Sequence, residues 1–448
     1  MVIGAGPAGE VMAGRLAAEL SVAIVERELV GGECSFYACM PSKALLRPPE
    51  VLAEARRVPG SAEAAQGELA VQSVLDRRDE VIHDLDDSSQ VPWLEDRGVA
   101  LLRGSAEIVG ERRVRVGDQV LEARRAVVVA TGSRPAFPPI EGLEALAPWT
   151  NREITTAKHV PESIVMVGGG VVGCEMAQAW QSLGAQVTLV EGERRLLPRE
   201  EEFACAQVTD ALEELGVTIA CGQKAVKAER VDGAVRVTTG DGATYDGAEI
   251  VVALGRAPNT DGIGLEAVGI DAGGALKVDA NMQVPGHAWL YAIGDVNGRA
   301  PFTHMGKYQA RVAGEHILGR PAAREHLGDG PGSPRVIFTD PQVAAVGHTL
   351  AAAEQAGIRA RAVDVETSGN AGGSFYGRGA AGTARIVVDE DRQVIVGATI
   401  TGAEVPEALH AATIAVVGEV PLDRLWHAVP CFPTRSELWL QLLEGYGL

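Results

Sequence analysis

Val2-Ile3-Gly4-Ala5-Gly6-Pro7-Ala8-Gly9 reads as a strand running directly into a glycine turn of the form G-x-G-x-x-G. A small-residue helix follows to Leu20, then a strand from Val22 to Val25 that ends in Glu26. Each position has a physical task. Gly4 makes the tight turn, Gly6 lets a pyrophosphate approach the backbone, and Gly9 lets helix and strand pack closely. The helix N-terminus faces the pyrophosphate, and Glu26 falls where it accepts a ribose hydroxyl. The pattern returns once. Ile164 to Val167 is a strand, Gly168-Gly169-Gly170-Val171-Val172-Gly173 the turn, and a helix runs to about Leu183. Val187 to Val190 is the second strand, ending in Glu191. One such motif is weak evidence; two, each with strand, helix, second strand and terminal acid, predict two Rossmann-like dinucleotide-binding domains in an α/β chain.

Two dinucleotide folds imply two dinucleotides, commonly a tightly held flavin and an exchanging nicotinamide. A carboxylate at Glu191 binds both ribose hydroxyls and repels a 2′-phosphate, which favours NADH over NADPH. Arg194 and Arg195 follow closely, so a phosphate contact stays open.

A second stretch carries chemistry: Gly31-Gly32-Glu33-Cys34-Ser35-Phe36-Tyr37-Ala38-Cys39-Met40-Pro41-Ser42-Lys43. In one regular helix, residues five apart lie about 8 Å apart along the axis on different faces. A disulfide needs Cα atoms within about 4.4–6.8 Å. Bridging Cys34 to Cys39 therefore requires a helix that starts late or is distorted, and Pro41 suits a first turn. A helix beginning near Cys39 aims its positive end at that sulfur and favours the thiolate. The run reads as a redox-active disulfide that opens to a stabilised thiolate, although close cysteine pairs are also commonly inert.

The bulk numbers bound the rest. The chain has 448 residues, 46% of them hydrophobic, and a net charge of −20. That charge argues against nucleic acid or an anionic membrane as partner. No apolar run reaches the roughly 18 residues a membrane helix needs, and the chain opens directly on the strand and turn, so neither membrane insertion nor a leader is expected. The first strand is short, which leaves open a start a few residues upstream. Six cysteines in so long a chain do not form a disulfide framework, and a cytoplasmic setting is expected.

Together these runs resemble the flavin-dependent pyridine nucleotide–disulfide oxidoreductases, a family that includes dihydrolipoamide dehydrogenase, glutathione reductase and mercuric reductase. Gly32 to Lys43 resembles the family's redox run. Ala130-Thr131-Gly132-Ser133 resembles its A-T-G strand end, and Ala253-Leu254-Gly255-Arg256-Ala257-Pro258-Asn259 its G-R-x-P-N segment. Tyr291-Ala292-Ile293-Gly294-Asp295 resembles the second flavin motif, and Val336 to Pro341 with Val346-Gly347 the start of a dimerisation domain. The resemblance covers essentially the whole chain. It implies FAD and NAD as cofactors, a C-terminal α+β dimerisation domain, a homodimer and a small-molecule or small-protein disulfide acceptor. Electrons would pass from the nicotinamide through flavin to the Cys34–Cys39 disulfide.

It also implies roles. Cys39 lies against the flavin, Cys34 exchanges with substrate, and Lys43 stands near the flavin N5, paired with Glu175. Asp295 binds the ribityl chain, and His304 begins a helix whose amides face the flavin ring. Gly4, Gly6, Gly9, Glu26, Gly32, Thr131 and Gly132 belong to the flavin site; Gly168, Gly170, Gly173, Glu191, Gly255 and Arg256 belong to the nicotinamide site. No metal is expected. Domains are placed at 1–150 (first part of the FAD-binding domain), 151–260 (NAD(P)), 261–328 (central, flavin-associated) and 329–448 (interface), with a linker at Gly328 to Pro334.

The pattern breaks in one place. The family ends in a H-x-H-P-T-x-x-E segment whose second histidine is the proton donor, held by the glutamate. Here the run is Pro430-Cys431-Phe432-Pro433-Thr434-Arg435-Ser436-Glu437. Glu437 is present, but Phe432 carries no proton. His427 and Cys431 are candidate substitutes. A non-disulfide acceptor such as a quinone or a metal ion is the alternative function, and a non-catalytic redox sensor a minor one. Glu200-Glu201-Glu202 reads as a solvated helix start, and Cys174, Cys205 and Cys221 as packed small residues.

Overall fold

Val2 and Ile3 point to opposite faces of a five-stranded parallel sheet, and both are buried. Successive side chains alternate across a strand, so a continuous apolar run implies cover on both sides. The strand order is Leu290–Ala292, Val127–Val129, Val2–Ile3, Ala23–Glu26, Ala100–Arg103. On one face Val2, Ile24 and Val128 pack with Met12 and Ala13 of the helix Pro7–Ala17 and with Ala310 and Ala313 of the helix Thr303–Ile317. On the other, Ile3, Val25, Val127 and Val129 pack with Ile108 and Val114 of a three-stranded antiparallel sheet, Ala106–Gly110, Arg113–Val116 and Gln119–Glu122.

The computed structural model describes residues 1–321, 328–330, 332–380 and 382–448. Pro331 of the expected linker, residues 322–327 of the expected central segment and residue 381 lie outside the described residues. The chain divides into two units: Met1–Pro41, Asp79–Ala136 and Arg256–Gly330 form the first, and Ser42–Arg78, Phe137–Gly255 and Pro331–Leu448 the second.

The second unit holds the other parallel sheet, ordered Thr218–Ala220, Gln186–Val190, Ser163–Val167, Glu249–Val252. The helix Val171–Ser182 packs on it through Met176, Ala177 and Trp180. Its C-terminal part is α+β. A five-stranded antiparallel sheet, ordered Arg335–Ile337, Gln342–Gly347, Val394–Gly402, Thr383–Asp389, Ala360–Glu366, packs on the helices Pro406–Val417 and Leu438–Tyr446. The expected fold class is the one observed.

One expectation is corrected here. Glu200 and Glu201 are not solvated; they precede the helix Glu202–Glu214 and are buried. Glu200 takes a two-pronged bond from Arg335 at 2.7 and 2.9 Å. Glu201 accepts from Arg385 at 3.0 Å and from the Leu350 amide at 2.8 Å. Buried carboxylates persist when paired in this way. Only Glu202 is solvated, with its side chain 88% exposed.

Candidate active site

The two glycine turns repeat the same backbone conformation and the same close approaches. Gly4 and Gly168 adopt φ of +100° and +114°, a region that disfavours a Cβ. A Cβ on Gly4 would run into the Ala130 carbonyl, and one on Gly168 into the Ala253 carbonyl. A Cβ on Gly9 would strike the Gly4 carbonyl, and one on Gly173 the Gly168 carbonyl. The middle glycines differ. Among the described residues, nothing lies within 4 Å of the Cβ position of Gly6 or of Gly170. The outer glycines are fixed by protein packing, whereas the middle ones face open space at a helix N-terminus. That is the cradle a pyrophosphate needs, so the residues fit both dinucleotides.

Glu26 and Glu191 also match. Each is buried at its strand end. Glu26 accepts the Ala5 amide at 2.7 Å and the Glu28 amide at 2.8 Å. Glu191 accepts the Gly169 amide, and the Glu193 amide at 2.7 Å. An ionised carboxylate has about four acceptor sites, so each retains capacity for ribose hydroxyls.

In the first unit, Cys34 sits in the short helix Gly32–Phe36, and a second helix, Cys39–Arg57, starts at Cys39. The two cysteines therefore do not share one regular helix, which meets the condition the spacing imposed. Gly32 lies against Gly6, at φ +59°, bringing the redox run to the first glycine turn. Both stand as thiols, not joined in a disulfide. The Cys34 thiol is held well above the usual thiol range, first by its hydrogen bond with the Cys39 sulfur, then by burial and by the charge Cys39 carries. When the pair loses one proton, the charge accordingly settles on Cys39, at the helix start. Cys39 Sγ lies 3.4 Å from Thr303 Oγ1, at the first residue of the helix Thr303–Ile317.

The remaining first-unit residues form a network. Ser133 Oγ donates to Asp295 at 2.6 Å and accepts from Arg256 Nε at 2.7 Å. Arg256 also donates to the Ser133 carbonyl at 2.7 Å and to Glu33 at 3.3 Å. Thr131 Oγ1 donates to the Asn259 carbonyl at 2.7 Å, and the Asn259 amide to the Gly132 carbonyl at 2.9 Å. Arg256 thus joins the redox run to Asp295. His304 is exposed and stacks on Phe302 at 5.5 Å, while its neighbour Thr303 meets Cys39. Sequence reasoning missed Thr303, Ser133 and Glu33. Each carried a signal in adjoining a recognised motif or residue, Thr303 by preceding His304.

In the second unit, Lys43 Nζ donates to Glu175 Oε2 at 2.7 Å. The Phe338 amide donates to Glu175 Oε1 at 3.0 Å, and Lys43 lies 4.6 Å above the Phe338 ring. Gly255, at φ +105°, ends the segment Phe137–Gly255 of that unit. Glu437 ends the turn Arg435–Glu437, and its Oε2 is buried without a hydrogen-bond partner among the described residues. Phe432 is 76% exposed and Val429 82%; His427 and Cys431 are exposed beside them. Cys174 and Cys205 are buried as expected, whereas Cys221 is only half-buried; burial pushes the Cys205 thiol up to about 11. Among the described residues no helix is long and apolar enough to cross a membrane, and no cluster suited to a metal ion is found.

Comparison with known proteins places this geometry. A family model described as pyridine nucleotide-disulphide oxidoreductase matches residues 1–313, and that family's dimerisation domain matches residues 333–442. Dihydrolipoyl dehydrogenase 2 of Haloarcula marismortui is 31% identical over 451 residues, spanning 98% of this chain and 94% of that protein. Dihydrolipoyl dehydrogenase of Chlamydia trachomatis is 30% identical over 458 residues, spanning 98% and 95%. Among solved structures, LpdA from Mycobacterium tuberculosis superposes with a TM-score of 0.87 at 25% identity, covering 100% of this chain and 99% of that one. The HOCl-induced flavoprotein disulfide reductase RclA from Escherichia coli, at 22% identity, a TM-score of 0.85 and coverage of 99% and 98%, shares the fold.

Proposed function

The chain belongs to the pyridine nucleotide-disulphide oxidoreductase family, and from that premise we propose that it passes electrons from NADH through Cys34 and Cys39 to a disulfide acceptor. It is an FAD- and NAD(P)-dependent disulfide oxidoreductase. The observation that carries the acceptor reading is the Cys34–Cys39 thiol pair, hydrogen-bonded and poised at a helix start beside Thr303.

Gly4, Gly6, Gly9, Glu26, Thr131, Gly132 and Asp295 would hold FAD; Gly168, Gly170, Gly173 and Glu191 would hold the nicotinamide nucleotide. Bound there, FAD supplies two-electron exchange between the nicotinamide and the sulfur pair. The chain's own residues do the rest. Cys34, as thiolate, forms a bond to one acceptor sulfur and breaks the acceptor's S–S bond, and the released thiolate takes a proton from solvent. Cys39 then attacks Cys34 and releases the second thiol. The dithiol is oxidised to the Cys34–Cys39 disulfide, and the acceptor gains two electrons and two protons. Thr303 donates a hydrogen bond to the Cys39 thiolate. Lys43, held by Glu175, supplies a positive charge where negative charge develops. The dimerisation domain supports a homodimer, and the exposed Ile414, Trp426, Val429 and Phe432 offer apolar surface for a second copy.

Steady-state kinetics test this reading. NADH is expected to give a kcat/KM at least about tenfold above that of NADPH, because Glu191 repels a 2′-phosphate, and reciprocal plots against lipoamide should be parallel, as in a ping-pong scheme. A higher kcat/KM with NADPH removes the nucleotide assignment.

The pH dependence follows from Cys34. A thiol held above its usual range is mostly protonated at neutral pH, and attack needs the thiolate. The kcat/KM for the disulfide should therefore climb steadily between about pH 7 and 9.5. With phenylalanine at 432, no imidazolium is lost on the alkaline side, so no falling limb is expected. A bell-shaped profile would reveal a proton donor that this reading lacks.

Phe432 also favours a second reading, in which the acceptor is a quinone or a metal ion that needs no proton from the protein.

A further inference from the structure

The loop that carries Asp295 is shaped from behind. After the strand Leu290–Ala292, Gly294 turns at φ +76° into the short turn Gly294–Asn297. A Cβ on Gly294 would meet the Ala8 side chain at 3.5 Å, and one on Gly306 would come within 3.4 Å of the Gly294 backbone. A left-handed glycine has no side chain to hold its own turn. Gln309, fully buried on the helix Thr303–Ile317, holds it instead. Its Oε1 accepts the Gly294 amide at 2.8 Å and Asn297 Nδ2 at 2.9 Å. Its Nε2 donates to Asp329 Oδ2 at 3.1 Å. Asp329 also takes a two-pronged bond from Arg299, at 2.7 and 3.0 Å. Asn297 Oδ1 closes the ring by accepting the Arg299 amide at 3.0 Å.

A glutamine amide has an accepting end and a donating end of nearly equal size. Shape alone does not decide which end of Gln309 meets Gly294; Asp329 decides it. Paired with a guanidinium, Asp329 is a carboxylate and only accepts. The amino end of Gln309 must therefore face Asp329, and its carbonyl end must face Gly294. Turned round, the amide would set N–H against N–H and oxygen against oxygen in the interior, where an unmade bond is costly. The Gly294 peptide leads directly into Asp295, whose carboxylate accepts Ser133 Oγ at 2.6 Å. Gln309 is 0% exposed and the Asp329 side chain likewise, so neither reaches a ligand itself. What they can do is set the turn from which Asp295 projects.

We propose that Gln309 and Asp329 are positioning residues for FAD: Asp329 sets the sense of the Gln309 amide, and Gln309 fixes the Gly294 turn so that Asp295 is held ready for the cofactor. The inference rests on the assignment of Asp295 to FAD above and adds the two buried groups that act through it.

The test is the rate at which the full-length holoprotein releases FAD on dilution, read as the rise of free-flavin fluorescence, alongside the visible spectrum of the bound flavin and Tm. Gln309→Leu removes the acceptor for two buried N–H groups and should speed release about ten- to a hundredfold. Gln309→Glu sets a second carboxylate against Asp329 and should speed it at least about tenfold. Asp329→Asn leaves the Gln309 amide free to turn and should speed it about three- to tenfold. The decisive variant joins the last two. With Gln309→Glu and Asp329→Asn together, an asparagine amino group donates to a carboxylate that still accepts the Gly294 amide, so release should return to within about threefold of native. A double variant as fast as the two single effects multiplied overturns the proposal. So does a lowered Tm in the single variants with native release and a native flavin spectrum, which would make the ring a scaffold and nothing more. Asp295→Asn tests the premise separately: native FAD release in that variant overturns the assignment of Asp295 to the cofactor, and this inference with it.

Discussion

Cys34→Ser should reduce disulfides at least about 10³-fold more slowly than the native protein, because a hydroxyl cannot replace the attacking thiolate. The same variant should still take up NADH anaerobically, since nothing in the glycine cradles or in the Ser133–Asp295–Arg256 network depends on that sulfur. The contrast between the two measurements is what gives the experiment force. Cys34 hydrogen-bonds to Cys39, which sits at the helix start, and it is the sulfur the proposed reading assigns to exchange, attacking once it has lost its proton. Undiminished disulfide turnover in the variant would exclude Cys34 as nucleophile. Quinone reduction at the native rate, in a protein whose native form reduces no disulfide, would establish the second reading, in which electrons bypass the thiols.

The parallel sheets and their turns were legible because the signal is local. Gly4, Gly9, Gly168 and Gly173 are dictated by carbonyls within the same strand–turn–helix units or their neighbouring strands, and steric exclusion of that kind writes glycine into the sequence. The late helix start at Cys39 was legible for a similar reason, since Pro41 suits a first turn and no deeper position. The strand Leu290–Ala292 could be placed beside Val127–Val129 only through the family's second flavin motif; periodicity alone says nothing about a partner so far along the chain.

What was not legible is long-range and polar. Glu200 and Glu201 look like a solvated acidic helix start because helix N-termini favour acids. Their partners, Arg335 and Arg385, lie 135 and 184 positions away, and no local rule connects them. Thr303 is an ordinary helix-start residue until the fold sets it against Cys39. The Lys43–Glu175 pair, 132 positions apart, was reached only through the resemblance, and the geometry then supplies the physical reason for it.

That reason sets the last expectation. Glu175→Ala should lower stability by about 2–4 kcal/mol, which for a chain of this size appears as a drop of a few degrees in Tm. Glu175 is a buried carboxylate, with its side chain 4% exposed, one oxygen bonded to Lys43 and the other to the Phe338 amide. Removing it strands a part-buried amide and an ammonium together. The ammonium is 35% exposed, so water compensates it in part, and the loss stays below that of breaking a wholly buried pair. Glu175→Gln keeps an oxygen for the Phe338 amide and the shape of the site but not the charge, so it should cost less in Tm than alanine. If Lys43 serves as a held charge near the reacting centre, glutamine should nevertheless slow turnover by about tenfold or more. Stability and rate then separate: alanine damages both, glutamine mainly the rate. Native Tm in the alanine variant would mean that the pair contributes nothing to the fold, and native turnover in the glutamine variant would strip Lys43 of its electrostatic role.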